Sequence, residues 1–250
     1  MNLNFQNKVA LITGGSSGIG RATAVAFAQE GAEVVVAARR IKEGMETVEM
    51  VHAIGGNASF IQTDVSKTTD VIAMVDHCVA TYGGLDFAFN NAGIEGSTFV
   101  PTADYDEQIW DQVININLKG VWLCMKYQIP HMLARSGGAI VNMSSIAGLK
   151  GGGFGSAYIV SKHGVVGATK AAASEYASQG IRVNVVCPAI IRTPMAERAF
   201  SQDEEIQGSW HPMGRVGTPD EVASAVLWLC SEGAGFVTGH ALSIDGGWLI

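Results

Sequence analysis

The chain has 250 residues, 48% of them hydrophobic and only 16% charged, with 31 glycines and a formal net charge of −7. That apolar content excludes intrinsic disorder, this much glycine excludes a coiled coil, and the glycines lack the three-residue period of collagen. No Lys/Arg run exceeds the pair Arg39-Arg40, so no nucleic-acid footprint is expected.

Apolar runs alternate with helical patterns along the chain. A short strand is expected over 8–13 (KVALIT) and a helix over 18–29, with Ile19, Thr23, Ala26 and Phe27 on one face. A second strand over 33–38 (EVVVAA), a helix over 42–53 and a third strand over 58–63 follow. Next come a helix over 71–82, a strand over 85–90, a long helical stretch over 105–134 and a strand over 138–144. An alanine-rich helix over 157–178, a strand over 182–187, a helix over 219–231 and a strand over 241–244 complete the series. Strands without clear polar alternation, separated by helices, imply a parallel sheet buried on both faces. The expected fold is therefore α/β: one doubly wound Rossmann-type domain over 1–250, with about seven mainly parallel strands flanked by helices. Residues 189–212 read as an irregular insertion carrying Glu197, Arg198, Asp203, Glu204 and Glu205, suited to a mobile substrate lid.

Cys78, Cys124, Cys187 and Cys230 are far apart and form no CxxC, so neither a disulfide framework nor a metal site is expected. Reduced thiols suit a cytoplasmic protein. The first residues show no signal-peptide pattern, and no apolar run reaches the roughly 18 residues of a membrane span.

The first strand ends in Thr13-Gly14-Gly15-Ser16-Ser17-Gly18-Ile19-Gly20, where a helix begins. A helix N-terminus offers free N–H groups and the positive end of its dipole, and glycines let a phosphate approach the backbone. No G-K-[ST] follows, which excludes a P-loop. The same residues match G-x-S-x-G, a hydrolase nucleophile elbow that would need partners such as Asp220 and His240. That elbow normally follows several strands, and here it follows the first. The second strand closes with Ala38, Arg39 and Arg40 rather than a carboxylate for a ribose 2′-OH. A guanidinium can pair with a 2′-phosphate, so Arg39 favours NADP(H), with NAD(H) as the other possibility.

Tyr158 and Lys162 stand one helical turn apart on one face. A phenol has a pKa of about 10, and a nearby ammonium favours the phenolate, so the pair can exchange a proton with an alcohol or carbonyl oxygen. Ser144-Ser145 ends one strand and Asn90-Asn91-Ala92-Gly93 ends another, at the sheet edge where α/β folds bind ligands. Asn117 lies in the helical stretch between them.

Together these features resemble the classical short-chain dehydrogenase/reductase family over essentially the whole chain. The resemblance rests on TGGSSGIG (13–20), Asp64-Val65, NNAG (90–93), Asn117, Ser145, YIVSK (158–162), CPAIIRTPM (187–195) and DGG (245–247). It implies a tetrad of Asn117, Ser145, Tyr158 and Lys162. Tyr158 would donate or accept the proton, Ser145 would orient the substrate oxygen, Lys162 would bind the nicotinamide ribose, and Asn117 would support a water relay. Ser145 is chosen over Ser144 because it keeps the family's spacing to the tyrosine. The resemblance also implies Gly14, Ser17, Gly18, Ile19 and Gly20 around the pyrophosphate and Asp64 and Val65 at adenine. Asn90, Asn91, Ala92 and Gly93 would lie along the middle, and Pro188, Ile191 and Thr193 at the nicotinamide amide. Ala189 departs from the glycine that members commonly carry after the proline. Ile146, Phe154, Ile190 and Met195 are candidate pocket residues.

The expected substrate is a small or medium secondary alcohol or ketone. The alternative is the same chemistry with NAD(H) on a cyclic diol or a 3-oxoacyl-type substrate. An intact tetrad disfavours a dinucleotide-binding protein without turnover. The family also implies a homotetramer, for which the helix carrying Val165, Val166, Ala172 and Ala173 and the terminal Trp248-Leu249-Ile250 are interface candidates.

Overall fold

Strand β1 (Val9–Thr13) shows why the sequence carries no polar alternation. Its Val9 and Leu11 enter one hydrophobic core, and its Ala10 and Ile12 enter another on the opposite face. A strand buried on both faces must be apolar throughout. The computed structural model describes residues 3–200 and 204–250, apart from the side chains of 204–206. Within it β1 joins β2 (Glu33–Ala38), β3 (Asn57–Gln62), β4 (Phe87–Asn90), β5 (Gly138–Met143), β6 (Ile181–Pro188) and β7 (Ala241–Ile244). They form one parallel sheet in the order β3-β2-β1-β4-β5-β6-β7. The expected doubly wound fold is the one observed.

The helices are α1 (Gly18–Gln29), α2 (Ile41–Ala53), α3 (Thr68–Tyr82), α4 (Glu107–Val113), α5 (Gly120–Ala134), α6 (Ser156–Tyr176), α7 (Pro194–Ala199), α8 (Glu204–Ser209) and α9 (Pro219–Cys230). Apolar faces of α3, α5 and α6 cover one side of the sheet; those of α1, α2 and α9 cover the other. Four expectations change in detail. The helical stretch 105–134 starts at Asp106, whose side chain accepts from Ile109 N, and is interrupted by a π-helical turn, Ile114–Lys119. Such turns are invisible to a 3.6-residue periodicity and often mark functional sites. The insertion contains α7, capped by Thr193 with Pro194 at its first turn, and α8. Residues 201–203, including Asp203, and the side chains of Glu204 and Glu205 lie outside the described residues. Val165, Val166, Ala172 and Ala173 are buried in the subunit's own core rather than available for association. Trp248 likewise packs internally against Trp210 and His211, while Ile250 is exposed.

All four cysteines are free and buried. No helix among the described residues is long and apolar enough to cross a membrane.

A buried polar cluster interrupts the core directly below the carboxyl edge of the sheet. Asn90 donates to Gln128 Oε1 (3.1 Å) and Asn142 Oδ1 (3.0 Å), and Gln128 donates back to Asn90 Oδ1 (2.8 Å). Asn142 in turn donates to Thr169 Oγ1 (3.0 Å), which donates to Val165 O. Each amide is satisfied, so β4, β5, α5 and α6 are fastened together without an orphaned polar group. Gln128→Leu leaves the Asn90 carbonyl oxygen without its donor. We expect a loss of about 1–3 kcal/mol of unfolding free energy, the desolvation cost of an unsatisfied buried group, read as a lowered urea midpoint. An unchanged midpoint would contradict this account of the cluster.

Candidate active site

Thr13 ends β1, and its register partner on β4 is Asn90. Because β1 lies between β2 and β4, the chain leaves the sheet in opposite directions here, which opens a crevice at the carboxyl edge. A cavity of about 420 Å³ occupies that crevice.

The glycine loop forms its floor. Gly14 has φ +65°, and a side-chain carbon there would lie 2.7 Å from Asn91 Nδ2. At Gly20 such an atom would be 2.3 Å from the Gly14 carbonyl oxygen. At Gly18 it would be 3.1 Å from Thr193 Cγ2, so the loop also touches the segment after β6. Ser17 precedes α1 without capping it, and α1 has no acid in its first turn. The resulting cradle, with bare N–H groups at a helix start, fits a phosphate group. Asn91 holds the cradle in place: its N–H donates to Thr13 Oγ1, and its amide donates to the carbonyls of Thr13 and Gly14. Its side chain thus supports the loop, while Ala92 and Gly93 line the cavity beside it.

Arg39 and Asp64 meet at the next part of the rim. Burial raises the Asp64 carboxyl, but hydrogen bonds from the Ser66 hydroxyl and N–H, with the Arg39 and Lys67 charges, outweigh it and hold the group below its ordinary value. Arg40 is a residue that sequence reasoning left unassigned. Its Nη2 donates to Ser17 Oγ (2.8 Å) and Ser16 Oγ (3.2 Å), and its Nη1 pairs with Glu43. The Arg39-Arg40 doublet was the only signal for it. The hydrolase reading fails here, since Ser16 bonds Arg40 and neither Asp220 nor His240 is among its partners.

The reactive groups converge from β5 and α6. Ser144 Oγ donates to the Lys162 carbonyl (2.9 Å), so it is occupied in holding the helix. Ser145 Oγ accepts from Ala147 N and reaches Pro188 O (3.4 Å), and it hydrogen-bonds the Tyr158 hydroxyl. Lys162 is buried; its Nζ donates to Met143 O (3.0 Å) and lies 5.4 Å from the centre of the Tyr158 ring. Asn117, in the π-turn, exchanges two 2.8 Å bonds with the Ile94 backbone. Asn117 and Lys162 flank Gly93, where an added carbon would sit 3.2 Å from Asn117 Oδ1 and 3.6 Å from Lys162 Nζ. All four tetrad candidates are thus brought to one end of the crevice. Pro188, Ile191 and Thr193 also line the cavity, Pro188 beside Ser145 and Thr193 beside Gly18, as do Val65 and Ile19.

One electrostatic expectation is reversed. Burial, opposed by the Ser145 hydrogen bond, pushes Tyr158 up to about 12 instead of down. Burial also lowers Lys162 to about 8. In this environment the proton rests on the phenol.

A family model described as enoyl-(acyl carrier protein) reductase matches residues 14–249. The chain is 45% identical over 246 residues to a cyclohexanol dehydrogenase of Acinetobacter sp. (strain SE19), covering 98% of this chain and 96% of that one. It is 42% identical over 248 residues to a 2,5-dichloro-2,5-cyclohexadiene-1,4-diol dehydrogenase of Sphingobium indicum, covering 98% of each. It superposes on the crystal structure of levodione reductase with a TM-score of 0.93, 36% identity and 97% of each chain covered.

The lowered Lys162 makes a stability prediction. Below pH 8 folded and unfolded chains both hold its proton, and the buried charge lowers stability. Between about 8 and the ordinary lysine value of about 10.4 only the unfolded chain holds it, so stability rises with pH. In urea titrations the native chain should therefore gain about 2 kcal/mol on Lys162→Met between pH 7 and 9.5. A pH-independent gap would mean that Lys162 keeps its proton in the folded chain throughout this range and is not lowered by burial.

Proposed function

We propose a function from one premise: the chain belongs to the classical short-chain dehydrogenase/reductase family. It is an oxidoreductase of CH–OH groups that uses a nicotinamide dinucleotide. Within that class we assign it the interconversion of a small or medium secondary alcohol and its ketone with NADP(H). The convergence of Ser145, Tyr158, Lys162 and Asn117 at one end of the crevice carries this reading.

Gly14, Ser17, Gly18, Ile19 and Gly20 would hold the pyrophosphate side, and Asp64 and Val65 the adenine. Asn91, Ala92 and Gly93 would follow the middle, with Pro188, Ile191 and Thr193 at the nicotinamide. Bound there, the dinucleotide supplies or accepts the hydride. In ketone reduction Tyr158 gives its hydroxyl proton to the substrate oxygen, and Ser145 donates a hydrogen bond to the same oxygen. Lys162 would hold the ribose, and its ammonium places a positive charge behind Tyr158 as that hydroxyl loses its proton. Asn117, anchored on Ile94, keeps this part of the cavity in register. In oxidation the proton returns to Tyr158.

Arg39 on the rim, with Arg40 beside Ser16 and Ser17, supports a 2′-phosphate and hence NADP(H). Phe154 and Phe200 meet edge to face at 6.2 Å beside Ile146, Ile190 and Met195, which supports a compact apolar substrate such as a ring alcohol. α7 and the rest of 189–212 would serve as the lid. Half-exposed Trp122 on α5 and Val160 on α6 are apolar surface for a homotetramer in place of the residues now found in the core.

A panel of alcohols and ketones with both dinucleotides tests the assignment. Tyr158→Phe should lower kcat by at least about 100-fold, the typical contribution of a positioned acid–base group. Arg39→Ala should lower the NADPH-over-NADH preference by about tenfold, and an unchanged preference would refute the 2′-phosphate site. The raised Tyr158 predicts different pH responses in the two directions. Alcohol oxidation needs the phenolate, whose fraction climbs with pH below about 12, so kcat/KM should climb from pH 7 to 10. Ketone reduction uses the neutral phenol present throughout and should not rise. Parallel pH profiles in both directions check it.

A further inference from the structure

The charges around the cavity are unevenly placed. Arg39, Arg40 and Asp64 stand at the glycine-loop end, and Lys162 lies behind Tyr158. At the other end, among the described residues, the charged lining consists of Glu95 and Arg198. Glu95 follows β4 and the Ile94–Asn117 contact; Arg198 projects from α7. Though 103 residues apart, they form a two-point ion pair. Arg198 Nε donates to Glu95 Oε1 at 2.8 Å and Nη2 donates to Oε2 at 3.4 Å. The pair lines the cavity together with Phe200 and Ala199, and Arg198 is its more exposed member.

A guanidinium at the mouth of an apolar pocket is the natural anchor for a substrate carboxylate. Here that fork is already filled. Glu95 is the more enclosed partner, with 23% of its side chain exposed against 60% for Arg198. The Glu95 charge is also felt at Tyr158, where it opposes phenolate formation, so it lies within electrostatic reach of the reacting end. An anionic substrate would have to displace an internal carboxylate from Arg198 and then sit beside it. A neutral substrate meets only a closed, mutually cancelled pair against aromatic and aliphatic walls.

We infer that the Glu95–Arg198 ion pair is a specificity determinant that selects neutral alcohols and ketones and excludes substrates bearing a carboxylate near the ring. This rests on the alcohol/ketone reading for where the substrate lies. The logic is that of a repulsive element added to an attractive pocket.

The test uses the full chain with NADPH and compares cyclohexanone with 4-oxocyclohexanecarboxylate. The native chain should favour the neutral ketone in kcat/KM. Glu95→Gln frees the guanidinium and should shift the ratio toward the carboxylate by about tenfold, mainly through its KM. Arg198→Gln leaves Glu95 uncompensated and should shift the ratio the other way. The double variant Glu95→Gln/Arg198→Gln should return toward the native ratio. Opposite shifts of the two single variants cannot arise from general loss of structure. A ratio that stays fixed in Glu95→Gln, or that moves in the same direction in both singles, would overturn the inference. Thermal shifts of the NADPH-bound chain with cyclohexanol and cyclohexanecarboxylate read the same preference without turnover. If neither ketone is reduced, the substrate or cofactor assignment is at fault. The ligand preference of Glu95→Gln then decides the ion pair's role by itself.

Discussion

A lysine ammonium kept out of water is the constraint around which the active-site end is arranged. Lys162 has a carbonyl, Met143 O, as its hydrogen-bond partner, and burial penalises its charge. Such a side chain stays in place only if the helix carrying it is fixed. Two residues that end β5 and the residue after them do this. Asn142 bonds Thr169, Met143 accepts from Lys162 Nζ, and Ser144 bonds the Lys162 carbonyl. The next residue is Ser145, so the register that fastens α6 also sets the serine hydroxyl against Tyr158. Polar bonds across an apolar interface are directional where packing is not. They locate the two hydroxyls more sharply than the surrounding valines and alanines could.

The glycine loop meets the same demand by other means. No side chain fits between Gly20 and the Gly14 carbonyl, so α1 starts almost against β1 and its N–H groups lie open at the crevice. Thr13 Oγ1 accepts from both Asn91 N and Ala92 N, which ties the end of β4 to the end of β1. Between these fastenings the Asn90–Gln128–Asn142 cluster fills what would otherwise be a polar gap in the core. Apolar packing holds the two faces of the sheet; the carboxyl edge is held by hydrogen bonds, and it is there that the candidate site lies.

What the sequence reveals follows this division. Continuous apolar runs set by burial on both faces made the strands and their parallel arrangement legible, because a parallel sheet leaves no other pattern. The i,i+4 spacing of Tyr158 and Lys162 placed them on one helical face. The π-turn at Asn117 was not legible, since one extra residue in a turn leaves no compositional mark. The role of Arg40 was hidden because its target hydroxyls lie in the glycine loop, far off in sequence. Glu95 was missed for the same reason, its partner being 103 positions away. Val165, Val166, Ala172 and Ala173 read as surface because a helix that presents two residues to a site was assumed to have spare faces. In fact these four share the one buried face of α6 with Ser161, Lys162 and Thr169, and that same face packs on the sheet and the π-turn.

The reversed tyrosine carries a further consequence. An ammonium near a phenol should lower its pKa, yet the phenol is raised and the lysine lowered. Both shifts have one origin, since a site that removes water disfavours every charged form it contains. Desolvation therefore outweighs the attraction between the two groups and leaves the proton on Tyr158. A protonated tyrosine beside Ser145 is ready to give its proton to a carbonyl oxygen, whereas oxidation must first place a charge in the same dry pocket. The enclosure that favours a neutral, apolar substrate is thus also what biases the resting proton toward reduction.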